Sequence, residues 1–405
     1  MRFLFFCHSE ILNPIGGASE YIRELVTALS KDHDIDVVTW GDFPSYDTQK
    51  SRLHVVHFES KQFEISFKER IKNAYLKEIL SSIGLDYYIS IFLQNNIVPL
   101  SSFKLHDSYD LIVVISFESP KAFRMLSKEF NAPIIEMPLA FGLPWYLNNN
   151  KDWFRFIGRK SVLTSRLWQI IMRISNLFLE ILEIHRLSSN NVIAVSKLDA
   201  MRMSYYLGQK IDYLNPTVLG LQDISLLINK DERIRAIFLS TPGVSASISV
   251  EYLLKVSKIL SSVYFMVTGI KPLKEQLNEV PKNLNFLGWL EASEFEAALK
   301  SAHIVLIPSI QGSGVQTKLL KSMAFGKAII TTSAITKPFE NLRNGEHLII
   351  EDDPVLFVTR IKYLVSDIEK IRVLGINAYK YYYENFNQKL TANKFMEIVN
   401  VKLLK

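Results

Sequence analysis

The run from Val305 to Thr332 constrains this chain most, because two apolar stretches there bracket a glycine turn and an amphipathic helix. Val305 to Pro308 reads as an incoming strand, Gly312-Ser313-Gly314 as the turn, Val315 to Phe325 as the helix and Ala328 to Thr332 as the outgoing strand. Strand, turn, helix and strand in that order form a parallel crossover unit, the building block of an α/β fold. A glycine turn that opens a helix lets backbone N–H groups and the positive end of the helix dipole face an anion, and a diphosphate is a common guest. Lys318, Lys321 and Lys327 add positive charge nearby. The same glycines also suit a turn dictated by sterics alone, so spacing leaves both readings open.

The N-terminal end repeats the grammar. Arg2 to Phe6 reads as a strand, Asn13 to Ala18 as a turn, and Tyr21, Ile22, Leu25, Val26 and Leu29 recur at helical spacing before the strand Asp36 to Thr39. That is the opening of a doubly wound α/β domain, whose ligands sit at the carboxyl ends of the strands. Gly16 and Gly17 fall at that end; a tight turn with close helix packing explains them equally well. Leu53 to Phe58, Asp110 to Ser116, Pro133 to Glu136, Ala236 to Ser240, Tyr264 to Gly269, Leu284 to Leu290, His303 to Pro308 and Leu348 to Ile350 continue the strand series. Helices are expected over 63–99 and from Lys121 to Phe130, Val250 to Leu260, Leu356 to Asp367, Glu369 to Tyr383 and Leu390 to Leu404.

A chain of 405 residues exceeds what one core usually supports, so two domains are expected. The single cysteine, Cys7, excludes an internal disulfide framework and a cysteine-based zinc site, and a reducing compartment is the simplest setting. The start reads as a buried first strand, since His8, Ser9 and Glu10 interrupt the apolar run too early for a signal peptide. No uncharged apolar window reaches the length of a membrane span. The net charge of +6 suits phosphate-bearing ligands or an anionic membrane surface, and no basic and aromatic module points to nucleic acid. Between Asn148 and Leu187, Arg155, Arg159, Lys160, Arg166 and Arg173 lie among Trp153, Phe154, Phe156, Leu167, Trp168, Ile170 and Ile171. The 153–173 part suits the headgroup layer of an anionic membrane or an apolar face packed on the body, and packing is the expectation for Ile174 to Leu187.

From Ala302 to Thr332 the chain resembles the donor-binding signature of the retaining glycosyltransferases of family 4 (glycosyl transferases group 1), matching at Pro308-Ser309, Met323-Ala324, Gly326-Lys327 and Ile329-Ile330. The resemblance implies the GT-B fold: α/β, with two facing Rossmann-like domains, parallel sheets and a cleft between them. Its expected bounds are 1–190 for the acceptor-side domain, 191–380 for the donor-binding domain and 381–405 for a helix crossing back to the first. Asn191 to Ser196, Lys197, Gly208 and Leu214-Asn215-Pro216 are similar to the family's linker segment and mark the start of the second domain. Gly16, Gly17, Gly269, Gly288, Leu290, Ser309, Gly312, Ser313, Gly314, Val315 and Lys318 are the donor-binding candidates this implies, Gly288 and Leu290 lying where the family meets the nucleotide base.

Departures accompany the match. Family members carry two glutamates separated by seven residues, where this chain has Ser313 and Lys321, and a basic pair that grips the diphosphate, which is missing between Ser240 and Ser249. A histidine found beyond the strand at 133–136 is replaced by the run Glu136-Met137-Pro138-Leu139. Lys318, which a subset of the family shares, and Lys321 are therefore the candidates to meet a leaving diphosphate. Glu136, with His8, is the ionisable candidate on the acceptor side. For His8 a satisfied structural role is the competing reading.

The expected activity is a metal-independent, hexosyltransferase-type transfer of one sugar from a nucleotide-sugar donor, with no other cofactor. The acceptor is a glycan or lipid-linked molecule in cell-surface polysaccharide or glycoconjugate synthesis, at the cytoplasmic face and peripheral to the membrane. The rival is a catalytically silent GT-B subunit that binds a glycan or a partner transferase.

Overall fold

The computed structural model describes residues 1–7, 11–12, 17–41, 46–59, 105–115, 130–139, 145–146, 191–221, 233–239, 244–272, 280–309, 311–312 and 315–403. The expected helices at 63–99 and 121–129, the basic aromatic stretch at 153–173, and His8, Gly16, Ser313 and Gly314 lie outside the described residues. The chain divides into two compact units: Met1–Leu143 with Ile170–Thr217 and Gln388–Lys405, and Pro144–Gln169 with Val218–Asn387.

In the first unit, β1 (Arg2–Cys7), α1 (Gly17–Leu29), β2 (Asp34–Gly41), β3 (Tyr46–Lys50), β4 (Leu53–Glu59), β5 (Leu111–Ile115) and β6 (Ile134–Met137) follow one another. Their sheet runs β3-β4-β2-β1-β5-β6, parallel throughout except for β3, which pairs antiparallel with β4 at the edge. The continuous apolar runs FLFFC and LIVVI suit strands covered on both faces, and every residue of β5 is buried. α1 lays Tyr21, Ile22, Leu25, Val26 and Leu29 on this sheet. Asp36, buried in β2, accepts bonds from the Tyr109 hydroxyl and, at 3.2 Å, faces Nδ1 of His54.

After β6 comes β7 (Trp145–Tyr146), which belongs to the second unit. β8 (Ile193–Ala194), α2 (Lys197–Leu207) and β9 (Asp212–Tyr213) return to the first. The boundary expected at 191 is thereby corrected: the first unit keeps the chain to Thr217. The reason is burial, since Val192 bridges Glu136 of β6 while Ile193, Val195 and Leu214 join the core formed by β1 and β5.

The second unit contains β10 (Arg235–Leu239), α3 (Val244–Ile259), β11 (Tyr264–Thr268), β12 (Leu284–Gly288), α4 (Ala292–Ser301), β13 (Ile304–Ile307), β14 (Gln311–Gly312) and α5 (Thr317–Ala324). β15 (Ala328–Thr331), α6 (Ser333–Thr336), β16 (Ile349–Ile350), α7 (Pro354–Val365) and α8 (Ile368–Phe386) complete it. Its main sheet is wholly parallel in the order β12-β11-β10-β13-β15-β16. Alternate residues feed two cores: Ala236, Phe238, Ile304 and Leu306 enter one, and Ile237, Leu239, Val305 and Ile307 the other.

α9 (Gln388–Leu403) closes the chain within the first unit, where Phe395 meets Phe3 and Phe5 at ring separations of 6.2 and 6.0 Å. The Gln388 side chain donates to the Glu24 carbonyl over 3.0 Å. The crossing is therefore at Asn387 and not at 381, because Tyr381, Tyr382 and Phe386 of α8 remain in the second unit's core.

Candidate functional site

In the second unit's sheet β11 and β12 lie on one side of β10, while β13, β15 and β16 lie on the other. Chain direction across the sheet therefore reverses between β10 and β13, and ligands of open parallel sheets bind beyond the carboxyl ends at such a reversal. The segment leaving β13 there is fixed at several points. Pro308 and Ser309 are buried, the Thr332 hydroxyl donates to the Ser309 carbonyl over 2.5 Å, and the Thr331 hydroxyl donates to the Ile307 carbonyl over 3.2 Å. Gln311 and Gly312 form β14, paired antiparallel with Tyr146 and Trp145 of β7. Val315 packs on the core, and α5 begins at Thr317.

The start of α5 differs from those of α2, α4, α7 and α8; α6 likewise has no N-cap side-chain bond, its first N–H donating to Asp352 over 2.7 Å. α2 is capped by the Ser196 hydroxyl, α4 by a Glu291/Glu294 capping box, α7 by Asp353 and α8 by Asp367. At α5 the N-cap Gln316 makes no side-chain cap and the first turn holds no acid. A helix start left without a capping acceptor is suited to an incoming anion.

Lys318 lies in this uncapped turn. Burial of its ammonium pushes its pKa down to about 8, and burial is the only cause, so no carboxylate among the described residues compensates the charge. A desolvated cation of this kind is costly unless a counter-ion meets it.

The other two lysines are committed elsewhere, which corrects the expectation that they charge the turn. Nζ of Lys321, in a residue only 5% exposed, lies 3.4 Å from Oε1 of Glu296 on α4 and 5.1 Å above the Phe325 ring. Nζ of Lys327 donates to the Lys300 and Ala302 carbonyls at 2.9 and 2.8 Å, closing the C-terminal end of α4. Burial and then the charge of Arg235 lower the Lys327 pKa to about 8. Replacing Lys327 with methionine should leave both carbonyls without that donor and destabilise the second unit by about 1–3 kcal/mol in chemical denaturation.

Gly269 directly follows β11 and Gly288 ends β12, and the Gly269 N–H donates to the Gly288 carbonyl over 2.7 Å. Both take left-handed backbone angles, with φ of 77° and 68°, where a side chain is disfavoured. Trp289, 65% exposed, and half-buried Leu290 follow on the same carboxyl edge of the sheet as the glycine turn. In the first unit Gly17 opens α1 beyond the end of β1. Glu136 is buried inside β6 with its N–H bonded to the Asn191 carbonyl, so it is placed as a strand residue of the first unit. Ser309, Gly312, Val315 and Lys318 are thus brought together on one loop and helix, with Gly269, Gly288 and Leu290 along the same sheet edge. The paired hydroxyls of Thr331 and Thr332 and the β7 strand were not singled out in the sequence. A polar Thr-Thr closing an apolar strand was the available signal for the first.

Taken together, the two units define a GT-B fold, and comparison with known proteins agrees. Residues 237–367 match the family model described as Glycosyl transferases group 1. Sucrose-phosphate synthase from Thermosynechococcus elongatus is similar over 100% of both chains, with 12% identity and a TM-score of 0.65. HepE from Anabaena, solved with UDP and glucose, is 13% identical over 98% of this chain and 99% of that one, with a TM-score of 0.58. WaaG, a glycosyltransferase involved in lipopolysaccharide biosynthesis, gives 12% identity, 98% and 99% coverage and a TM-score of 0.57. An "Uncharacterized 44.6 kDa protein in cps region" of Klebsiella pneumoniae is 29% identical over 96 residues, a match spanning 24% of each chain.

Proposed function

We propose that the protein is a glycosyltransferase that binds a nucleoside-diphosphate sugar on the glycine turn and the first turn of α5. The observation that carries this reading is the buried Lys318 ammonium, which has no carboxylate partner among the described residues, beside a helix start with no side-chain cap. A diphosphate supplies what each lacks: acceptor oxygens for a helix start with no capping side chain, and negative charge for the desolvated cation. The group 1 match over 237–367 covers this turn, and HepE was solved with UDP and glucose.

As a sugar leaves a diphosphate, negative charge builds on the departing oxygens. A fixed ammonium and oriented N–H groups stabilise that charge more than the ground state, which is how such a site accelerates transfer. Lys318 is the residue assigned this role, and Lys321 serves as a partner of Glu296. The donor class, hexosyl transfer without a metal ion, and retention of configuration belong to the same proposal. The acceptor proposed is a glycan or lipid-linked molecule of polysaccharide or glycoconjugate synthesis, met at the inner membrane face. WaaG, by its description, acts in lipopolysaccharide biosynthesis.

The test is nucleoside-diphosphate release from a bound donor, with and without lipid-linked and glycan acceptors presented in anionic vesicles. Acceptor-dependent release is expected. Donor binding without release for any acceptor would contradict the assignment as a transferase.

A further inference from the structure

The glycine turn is preceded by a ladder whose other side comes from a distant part of the chain. The chain leaves β6 at Met137, and Trp145 and Tyr146 form β7, which among the described residues pairs with β14 alone: Tyr146 faces Gln311, and Trp145 faces Gly312. Both strands belong to the second unit. β14 stands apart from the main sheet, with no pairing to β13 or β15 among the described residues, although α6 lies against it.

The backbone entering the turn is therefore held by two devices. Ser309 is tied back to Thr332, and Gln311 and Gly312 are tied to β7. On the far side, Val315 and the buried Leu319 and Leu320 fix the start of α5 to the core. Fixing Gln311-Gly312 on one flank of the turn and Val315 on the other lowers the ordering cost of binding an anion there. Without β7 the near anchor would end at Ser309.

We propose that the Trp145–Tyr146 strand is a positioning element for the donor loop, acting through backbone hydrogen bonds and holding Gln311 and Gly312 in the conformation that receives the diphosphate. This rests on the reading that the glycine turn holds the donor. It assigns to a segment outside the group 1 match, which spans 237–367, a direct part in donor affinity.

Proline scanning tests it. In an antiparallel pair, adjacent residues alternate between an N–H aimed at the partner and one aimed away. Of Trp145→Pro and Tyr146→Pro, one therefore removes a ladder donor and the other does not, while Trp145→Ala and Tyr146→Ala retain both N–H groups. In the ligand-free protein the ladder-breaking proline should speed amide exchange at least tenfold at whichever of Gln311 and Gly312 donates to the ladder, leaving protection in β10 and β13 unchanged. The same variant should weaken binding of the donor sugar nucleotide at least tenfold, with the other three variants within threefold of the parent. Faster exchange with unchanged affinity would overturn the positioning role, and unchanged exchange in both proline variants would overturn the ladder itself. The exchange arm needs no ligand, so it is decided separately from whether the turn holds a donor, which Lys318→Ala decides.

Discussion

Lys318→Ala is expected to weaken binding of the donor sugar nucleotide by one to two orders of magnitude while leaving the thermal midpoint of the ligand-free protein unchanged or raised. A charge-assisted hydrogen bond contributes about 1.5–3 kcal/mol, which sets the size of the loss. The stability side follows from linkage. Burial holds the Lys318 pKa at about 8, below the ordinary lysine value of about 10.4, so the unfolded chain keeps its proton to higher pH than the folded one. This residue therefore opposes folding fully below pH 8, and the penalty fades as the pH rises from there towards the unfolded value. Removing it costs the fold nothing it gains. Donor binding has the opposite sign. Below pH 8 the ammonium is already charged and affinity should be flat; above it, binding must take up a proton, and affinity should fall by up to a factor of ten per pH unit. Calorimetric titration with a nucleoside-diphosphate sugar between pH 6.5 and 9.5 reads both effects, and Lys318→Ala should flatten the upper limb.

Gly375→Ala is expected to be the most damaging conservative change outside the turn. Gly375 lies in α8, and a Cβ there would stand 2.2 Å from the Gly326 carbonyl oxygen and 3.1 Å from its carbon. The obstacle is backbone. Gly326 itself closes α5 with a left-handed φ of 60° and an N–H bonded to the Met323 carbonyl over 2.8 Å, so it cannot easily retreat. Alanine regains about 1 kcal/mol of helix propensity, whereas forcing a methyl into a packed contact costs about 1–3 kcal/mol and more against a fixed backbone. A net loss of about 2 kcal/mol should lower the melting temperature of a domain of this size by roughly 4–8 °C. The contact also sets the height of α5. Tyr382 on α8 donates to the Val218 carbonyl over 2.7 Å, and at Gly220 a Cβ would meet Tyr382 at 3.0 Å and Ala324 at 3.1 Å. A displaced α8 should carry α5 and Lys318 with it, so donor affinity should fall together with stability. A variant that melts and binds like the parent would show that the helix contact is loose.

Most of the fold was legible because the parallel strands are covered on both faces and read as unbroken apolar runs. β3 escaped, since Tyr46–Lys50 is a polar edge strand with four of its five residues exposed. The domain limits were misplaced for a related reason: the apolar residues of 191–217 are equally fit for either sheet, and only pairing beside Glu136 shows which one takes them. In the site, the glycine turn and Lys318 were visible as a local pattern. The fates of Lys321 and Lys327 were not, because a lysine free to meet an anion and one paired with Glu296, or donating to carbonyls of α4, are the same letter in the sequence. The β7–β14 ladder was hidden most deeply. It joins two-residue strands from opposite halves of the chain, too short to carry any periodicity.

A thermal-shift series across nucleoside-diphosphate sugars, run on the parent and on Lys318→Ala side by side, tests the central claim most directly. A donor at a hundred times the parent's dissociation constant should stabilise the parent by about 2.7 kcal/mol, and the same donor concentration should stabilise Lys318→Ala by only about 0.4–1.4 kcal/mol. A shift of equal size in both proteins, or none in the parent for any donor, would contradict a diphosphate seated on the first turn of α5.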